Sequence, residues 1–294
     1  MPALGATLRI FSPCPNVLAF YDGRIKGMRA FSAERNWLDD GAYELGVCTY
    51  AIVDGEEALV YDTHISLAHA HMIRWTLTGR GVTKITVVLS HWHDDHIAGN
   101  EVFADCEIIA NARTAELLEE HRGEIEAAFP PIRPLVTPNR IFEEDFTLSV
   151  GCLTVELRRA DIHSEDATLL ILPEQRLLFA GDALEDPVTY VGEPERLGAH
   201  LADLDRIAAW PFERILPNHG AAEIIEQGGY GPGLVGATKR YVEKLRRVRS
   251  EPALAAQTLQ DFIAEDLAAG TISYFAPYEA VHRQNIEKVA ALAG

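Results

Sequence analysis

Four side chains that bind metals, His91, His93, Asp95 and His96, stand within the hexapeptide His91-Trp92-His93-Asp94-Asp95-His96. It directly follows the apolar run Ile85-Thr86-Val87-Val88-Leu89. Neutral imidazoles and ionised carboxylates suit a zinc-like cation, and the end of a buried strand can hold them at fixed spacing. A metal with open coordination positions makes water nucleophilic near neutral pH. The motif therefore points to hydrolysis rather than to a structural metal.

Three more candidate ligands stand where strands are expected to end. His163 follows a strand at 153–159. Asp182, in Phe179-Ala180-Gly181-Asp182, follows one at 176–180, and His219, in Leu216-Pro217-Asn218-His219-Gly220, follows one at 214–216. A sheet whose strand ends converge on one edge would gather all of them into a single crevice. The chain has eleven histidines, and a lone histidine is ordinarily a satisfied or solvated side chain. His69, His71, His121, His200 and His282 have no ligand context and read as structural, while Asp94 reads as a solvated or supporting acid.

Taken in order, His-x-His-x-Asp-His, a distant His, Gly-Asp and a final His resemble the metallo-β-lactamase superfamily of binuclear metal hydrolases over about residues 40–225. All seven ligand positions are filled. The resemblance implies that His91, His93 and His163 bind one metal, that Asp95, His96 and His219 bind a second, and that Asp182 bridges both. It implies two divalent ions, zinc foremost with iron or manganese as alternatives, and a bridging hydroxide as nucleophile. Asp95 would orient that hydroxide or carry a proton to the leaving group, which makes it the candidate catalytic side chain. Asp62 stands where the family has a carboxylate that orients a ligand. His64 replaces the glycine usual two residues later.

Departures from subgroup patterns narrow the chemistry. The true β-lactamases carry Cys, Ser or another non-bridging residue where this chain has Asp182, which argues against antibiotic hydrolysis. Ala160-Asp161-Ile162-His163-Ser164-Glu165-Asp166 differs from the His-Thr-Pro-Gly-His of glyoxalase II and the acyl-homoserine lactonases. Tyr190 lies further along than the substrate-polarising tyrosine of those lactonases, and a rim position is its ordinary reading. RNA-processing members need broad basic surfaces or an added domain. Flavodiiron-type members have Glu at the position of His93, and persulfide dioxygenases use one iron. The expected reaction is hydrolysis of a small carboxylic ester, thioester or lactone. Phosphodiester hydrolysis is the first alternative, and a non-hydrolytic metal-binding or redox protein is the second.

The elements that must position these residues follow from pattern. Strands are expected at 17–21, 45–53 and 58–61, a helix at 66–78, and a strand buried on both faces at 85–89. A strand at 107–110 leads to a helix at 112–129 that Pro130-Pro131 ends. Short strands at 146–150, 153–159, 168–172 and 176–180 read as an antiparallel meander. A helix at 195–210 precedes the strand at 214–216. The expected fold class is α/β: a four-layer αββα sandwich of two mixed sheets. Residues 1–230 would form the catalytic domain and 231–294 a helical extension packed on it, which could form a lid or a homodimer surface.

Composition bounds partners and location. The chain has 294 residues, 48% of them hydrophobic, and a formal net charge of -18. Such acidity argues against nucleic acid and acidic membranes as partners, leaving a small-molecule substrate. The basic run Lys239, Arg240, Lys244, Arg246, Arg247, Arg249 reads as a solvated helix face. The glycine-rich stretch 228–233 reads as a plain loop, because Pro232 removes an amide donor that a phosphate would need. Four scattered cysteines without a Cys-x-x-Cys pair, and an N-terminus without a signal-peptide pattern, lead to an expected cytoplasmic location.

Overall fold

The computed structural model describes residues 3–292. Among the described residues, twelve strands form two mixed sheets. The first sheet holds, in spatial order, β1 (Arg9–Cys14), β2 (Val17–Asp22), β3 (Val47–Asp54), β4 (Glu57–Tyr61), β5 (Lys84–Val88), β6 (Glu107–Asn111) and β7 (Arg140–Phe142). It is antiparallel from β1 to β4 and parallel from β4 to β7. The second sheet uses β8 (Phe146–Val150), β9 (Leu153–Ile162), β10 (Ser164–Leu172), β11 (Leu177–Gly181) and β12 (Arg214–Pro217), in the order β12-β11-β10-β9-β8. The meander β8 to β11 is antiparallel, as expected from its tight turns, and only β12 joins parallel.

Side-chain alternation explains why the sheets stack. Along β2, Val17, Ala19 and Tyr21 enter a core shared with the second sheet, while Leu18 and Phe20 face a separate core. That separate core is closed by α1 (Leu67–Gly79), whose Ala70, Ile73 and Leu77 are buried in it. Between β5 and β6 lies the short α2 (Asp94–Ile97), and after β6 come α3 (Ala112–Glu120) and α4 (Arg122–Ala127). The second sheet is covered by α5 (Leu197–Ala208) and, beyond α6 (Ala222–Glu226), by α7 (Gly233–Arg247). The tail continues through α8 (Pro252–Ala255), α9 (Leu259–Phe262) and α10 (Ala264–Ala268) to α11 (Tyr278–Ala291). Tyr241 of α7 and Phe262, Tyr278 and Val289 of this tail belong to the same hydrophobic cluster as the second sheet. The four layers are those of an αββα sandwich.

Several elements differ from expectation for visible reasons. β3 starts at Val47 because Gly46 adopts φ 78, outside the extended region that the interior of a strand requires. The helix expected at 112–129 breaks at His121, and Ala128 is already extended, so the chain leaves the helix before the two prolines. β9 and β10 run further than 159 and start earlier than 168, which makes His163 the single residue between them, at φ 71. The edge strand β1 is exposed and irregular, without the alternation that would reveal it. On α7, Lys239 pairs with Asp205, Arg240 with Asp266 and Arg247 with Glu251, so these cations of the basic run are tied to acids. Among the described residues, no helix is long and apolar enough to cross a membrane.

Two consequences for stability can be measured. Gly99 sits where a Cβ would meet the Thr63 carbonyl oxygen at 2.2 Å and Ala70 Cβ at 2.5 Å. Gly99→Ala must shift backbone, and a loss of about 1–3 kcal/mol is expected in denaturant unfolding. His200 on α5 is buried, both ring nitrogens lack a hydrogen-bond partner among the described residues, and burial pushes its pKa down to about 4. The unfolded chain, with an imidazole pKa near ~6.5, binds the proton first. Stability is therefore complete above that value and falls as pH drops toward 4. In His200→Leu this decline between pH 6.5 and pH 4 should be shallower than in the parent chain.

Candidate metal centre

The strands end on one edge and deliver the candidate ligands there. The loop after β5 delivers His91 and His93, α2 carries Asp95 and His96, the β9–β10 junction holds His163, Asp182 directly follows β11, and His219 stands two residues beyond β12. Three imidazoles meet at one point: His91 Nε2 and His163 Nε2 lie 3.0 and 2.9 Å from His93 Nδ1. Beside them, His96 Nε2 and His219 Nε2 lie 3.1 and 3.3 Å from Asp182 Oδ2. Asp95 stands 3.2 Å from His219 and 3.5 Å from His96. Asp182 Oδ2 is also 3.7 Å from His91 Nε2 and 3.6 Å from His163 Nε2, so one carboxylate oxygen faces both groups. All seven sequence candidates are thus brought together.

The electrostatics are those of a site built for cations. Burial and the neighbouring imidazoles push His91 well below the usual histidine range, and burial with His163 pushes His93 down to about 3. Those rings present lone pairs rather than protons. Burial would raise both carboxylates, yet His96 and His219 hold Asp95 at about 2 and Asp182 well below the ordinary range. Conversely, Asp182 and Asp95 overcome the burial of His96 and His219 and raise both above their usual values. Protons on these imidazoles do the work that a divalent ion would do when it replaces them. Asp182 Oδ1 is buried with no hydrogen-bond partner among the described residues. Aprotic nitrogens, ionised carboxylates and an orphaned carboxylate oxygen fit two divalent cations.

Three of the five candidate ligand rings are hydrogen-bonded from behind, and a fourth, His163, faces a carboxylate. His91 Nδ1 meets Ser90 Oγ at 2.9 Å, and His219 Nδ1 meets the Gly46 carbonyl at 2.7 Å. His96 Nδ1 meets Asp62 Oδ2 at 2.9 Å, and Asp62 also accepts from Ser90 N and Asn218 Nδ2. His163 Nδ1 faces Glu185 Oε1 at 3.5 Å, and Glu185 and Asp182 raise its pKa although burial opposes them. Glu185 escaped the sequence reading. Its position three residues after Asp182 was the one available signal.

The ligands open into a cleft of ≈370 Å³ walled by Trp37, Leu45, Trp92, Tyr190, Pro277 and Val281. Its lining includes the acids Asp40, Glu44 and Asp94 but no lysine or arginine. Asp94 is thus more than a solvated acid: burial and Asp95 raise its pKa to about 7. Tyr190 does line the cleft, 5.8 Å from the His163 ring. His64 does not. It is fully buried, stacked 4.4 Å from His69.

Layering and site together define a class of protein, and comparison with known proteins agrees. The chain belongs to the metallo-beta-lactamase superfamily, whose family model matches residues 43–254. Among curated relatives, the atrochrysone carboxyl ACP thioesterase of Passalora fulva is 31% identical over 180 residues, covering 60% of this chain and 49% of that protein. The atrochrysone carboxyl ACP thioesterase nsrC of Aspergillus novofumigatus is 26% identical over 211 residues, covering 69% and 58%. The beta-lactamase-like protein 2 homolog of Caenorhabditis elegans is 28% identical over 181 residues, covering 60% and 56%. The chain spans about half the length of the curated relatives it matches. Among solved structures, DIM-1 metallo-beta-lactamase superposes with a TM-score of 0.60 at 20% identity, over 80% of this chain and 96% of that one. The metallo-beta-lactamase from Pontibacter korlensis gives 0.57 at 17%, over 78% and 99%. At such identities the structures establish the fold.

The Asp62 network makes a testable claim about metal. Asp62→Ala removes the acceptor behind His96 and leaves Asn218 and the Ser90 amide without it. The variant is expected to keep one metal per chain and to lose about 10–100-fold in affinity for the second. Metal analysis after passage over a chelating resin checks this, and two retained equivalents would refute it.

Proposed function

We propose that this protein is a metal-dependent hydrolase of a small acyl compound, with a thioester as the first-choice substrate. One observation carries the reading: four imidazoles, His91, His96, His163 and His219, converge on Asp182 Oδ2 at the floor of a cleft with apolar walls and, among the described residues, no lysine or arginine in its lining. His91, His93 and His163 would hold one divalent ion, Asp95, His96 and His219 the second, and Asp182 both. Imidazole and carboxylate donors suit zinc best. Such ions, when bound, lower the pKa of water to about 7 and polarise a carbonyl oxygen.

The protein's own groups supply the rest. Trp37, Trp92 and Val281 offer an acyl chain or ring an apolar surface and keep water from it. Asp95, held ionised by His96 and His219, can accept a proton at a carboxylate oxygen beside the reacting carbonyl. With Asp40 tied to Arg29 and Asp94 raised to about 7, the mouth presents, among the described residues, no lysine or arginine to an anionic phosphodiester, which favours an uncharged ester, thioester or lactone. Among these, the curated relatives named as ACP thioesterases support the thioester.

The test is a substrate panel with zinc-loaded protein: an acyl thioester, a lactone, a phosphodiester and a β-lactam. Turnover of the thioester is expected, with loss on chelation and recovery on adding zinc. Asp182→Ala should fall by about 100-fold or more, because two ligand groups lose their shared carboxylate. Activity on the phosphodiester alone would overturn the assignment. Iron with a visible absorption band and no turnover would move it to redox chemistry.

A further inference from the structure

The family match ends at residue 254, yet α11, which begins at Tyr278, reaches the metal centre. The Tyr278 hydroxyl donates to Glu185 Oε2 at 2.7 Å. The other oxygen, Oε1, accepts from Tyr190 N at 3.0 Å and faces His163 Nδ1 at 3.5 Å. Tyr278, Glu185 and His163 are all buried. The same helix grips the loop that follows Asp182 at further points. Asn285 donates to Thr189 O at 3.0 Å and accepts from Val191 N at 2.9 Å. Lys288 Nζ donates to Val191 O and Gly192 O at 3.1 and 3.0 Å. The loop then returns to His163, whose carbonyl accepts from Gly192 N at 2.8 Å.

Glu185, His163 and Asp182 offer atoms close enough to hold an ion among themselves, so a ligand role for Glu185 has to be weighed. Geometry decides against it. Both Glu185 oxygens are already engaged by Tyr278 and Tyr190 N, and Glu185 sits on the Nδ1 side of the ring. The opposite nitrogen, Nε2, is the one that faces His93 and Asp182. A carboxylate behind a ligand ring fixes its tautomer and its aim.

We propose that Glu185, anchored by Tyr278 of α11, is the positioning carboxylate of His163: it keeps the proton on Nδ1 and leaves Nε2 free for the first metal position. This inference rests on the metal reading above. It makes a helix beyond the family match part of the centre.

The test uses the full chain and measures metal binding apart from turnover. Competition with a chromophoric chelator yields two dissociation constants, and cadmium NMR assigns them to the three-histidine group and the carboxylate-bearing group. In Glu185→Gln the three-histidine position is expected to weaken by about 10–100-fold while the other is unchanged. Tyr278→Phe should weaken the same position less, and the double variant should match Glu185→Gln, since both residues act along one line. Wild-type affinity at both positions overturns the proposal. So does equal weakening of both with a lowered melting temperature of the metal-free protein, which would mean general loosening. If Glu185→Gln does not fold, Tyr278→Phe alone decides by the same criterion. A wild-type chain that binds two metals but turns over no panel substrate would sink the hydrolase reading and leave this one standing.

Discussion

The structure turns on a buried carboxylate that must not be left alone. Asp62 has no solvent exposure, and it ends β4 at φ 68, in the left-handed region that side chains seldom occupy. One oxygen accepts from Ser90 N at 2.6 Å, and the other meets His96 Nδ1 at 2.9 Å and Asn218 Nδ2 at 2.5 Å. These partners come from the end of β5, from α2 and from the end of β12, so a single charge ties both sheets at their common edge. A buried charge with one partner removed is costly, which makes the arrangement close to all-or-none. The hexapeptide, Asp182 and His219 are consequently registered against one another before any metal is considered.

That registration explains why the ligands were legible in the sequence. Most stand at or just beyond the end of a strand, and a buried strand fixes both the place and the direction of the residues that follow it. The pattern from Ile85 to His96 is local, and so is Phe179 to Asp182. What sequence alone did not reveal is non-local. Glu185 meets His163 across the gap between two loops, and Tyr278 reaches it from 93 residues further along. Nothing in the spacing of Tyr278 sets it apart from the other apolar positions of α11. The break at His121 was equally hidden, because the amphipathic period continues through it while the backbone does not.

The charge of the molecule and the charge of its site run in the same direction. A chain with net charge -18 places three further acids, Asp40, Glu44 and Asp94, around the cleft. Asp40 is tied to Arg29 and burial raises Asp94 to about 7, so their repulsion of an anionic substrate is muted near neutral pH. Divalent ions at the floor reverse the sign only locally, because the field of a bound ion is strongest within the first few ångströms. The reacting carbonyl would therefore meet positive potential at its oxygen, while the remainder of the substrate crosses acidic and apolar surface.

His64 shows how the scaffold accommodates a residue in a place where glycine is usual. At φ 70 a histidine carries a backbone penalty of roughly 1–2 kcal/mol. Its buried ring packs face to face on His69, with centroids 4.4 Å apart and planes 11° apart. His69 in turn is fixed by Asp22 at 2.9 Å and by Ser66 Oγ at 2.7 Å. Burial and the adjacent His69 hold the His64 pKa well below the ordinary range, so the ring stacks as a neutral group. Contact area between two flat rings, one of them locked by an acid, can offset a strain of that size. The substitution therefore changes the packing behind the loop from Asp62 to Ser66 rather than the cleft in front of it.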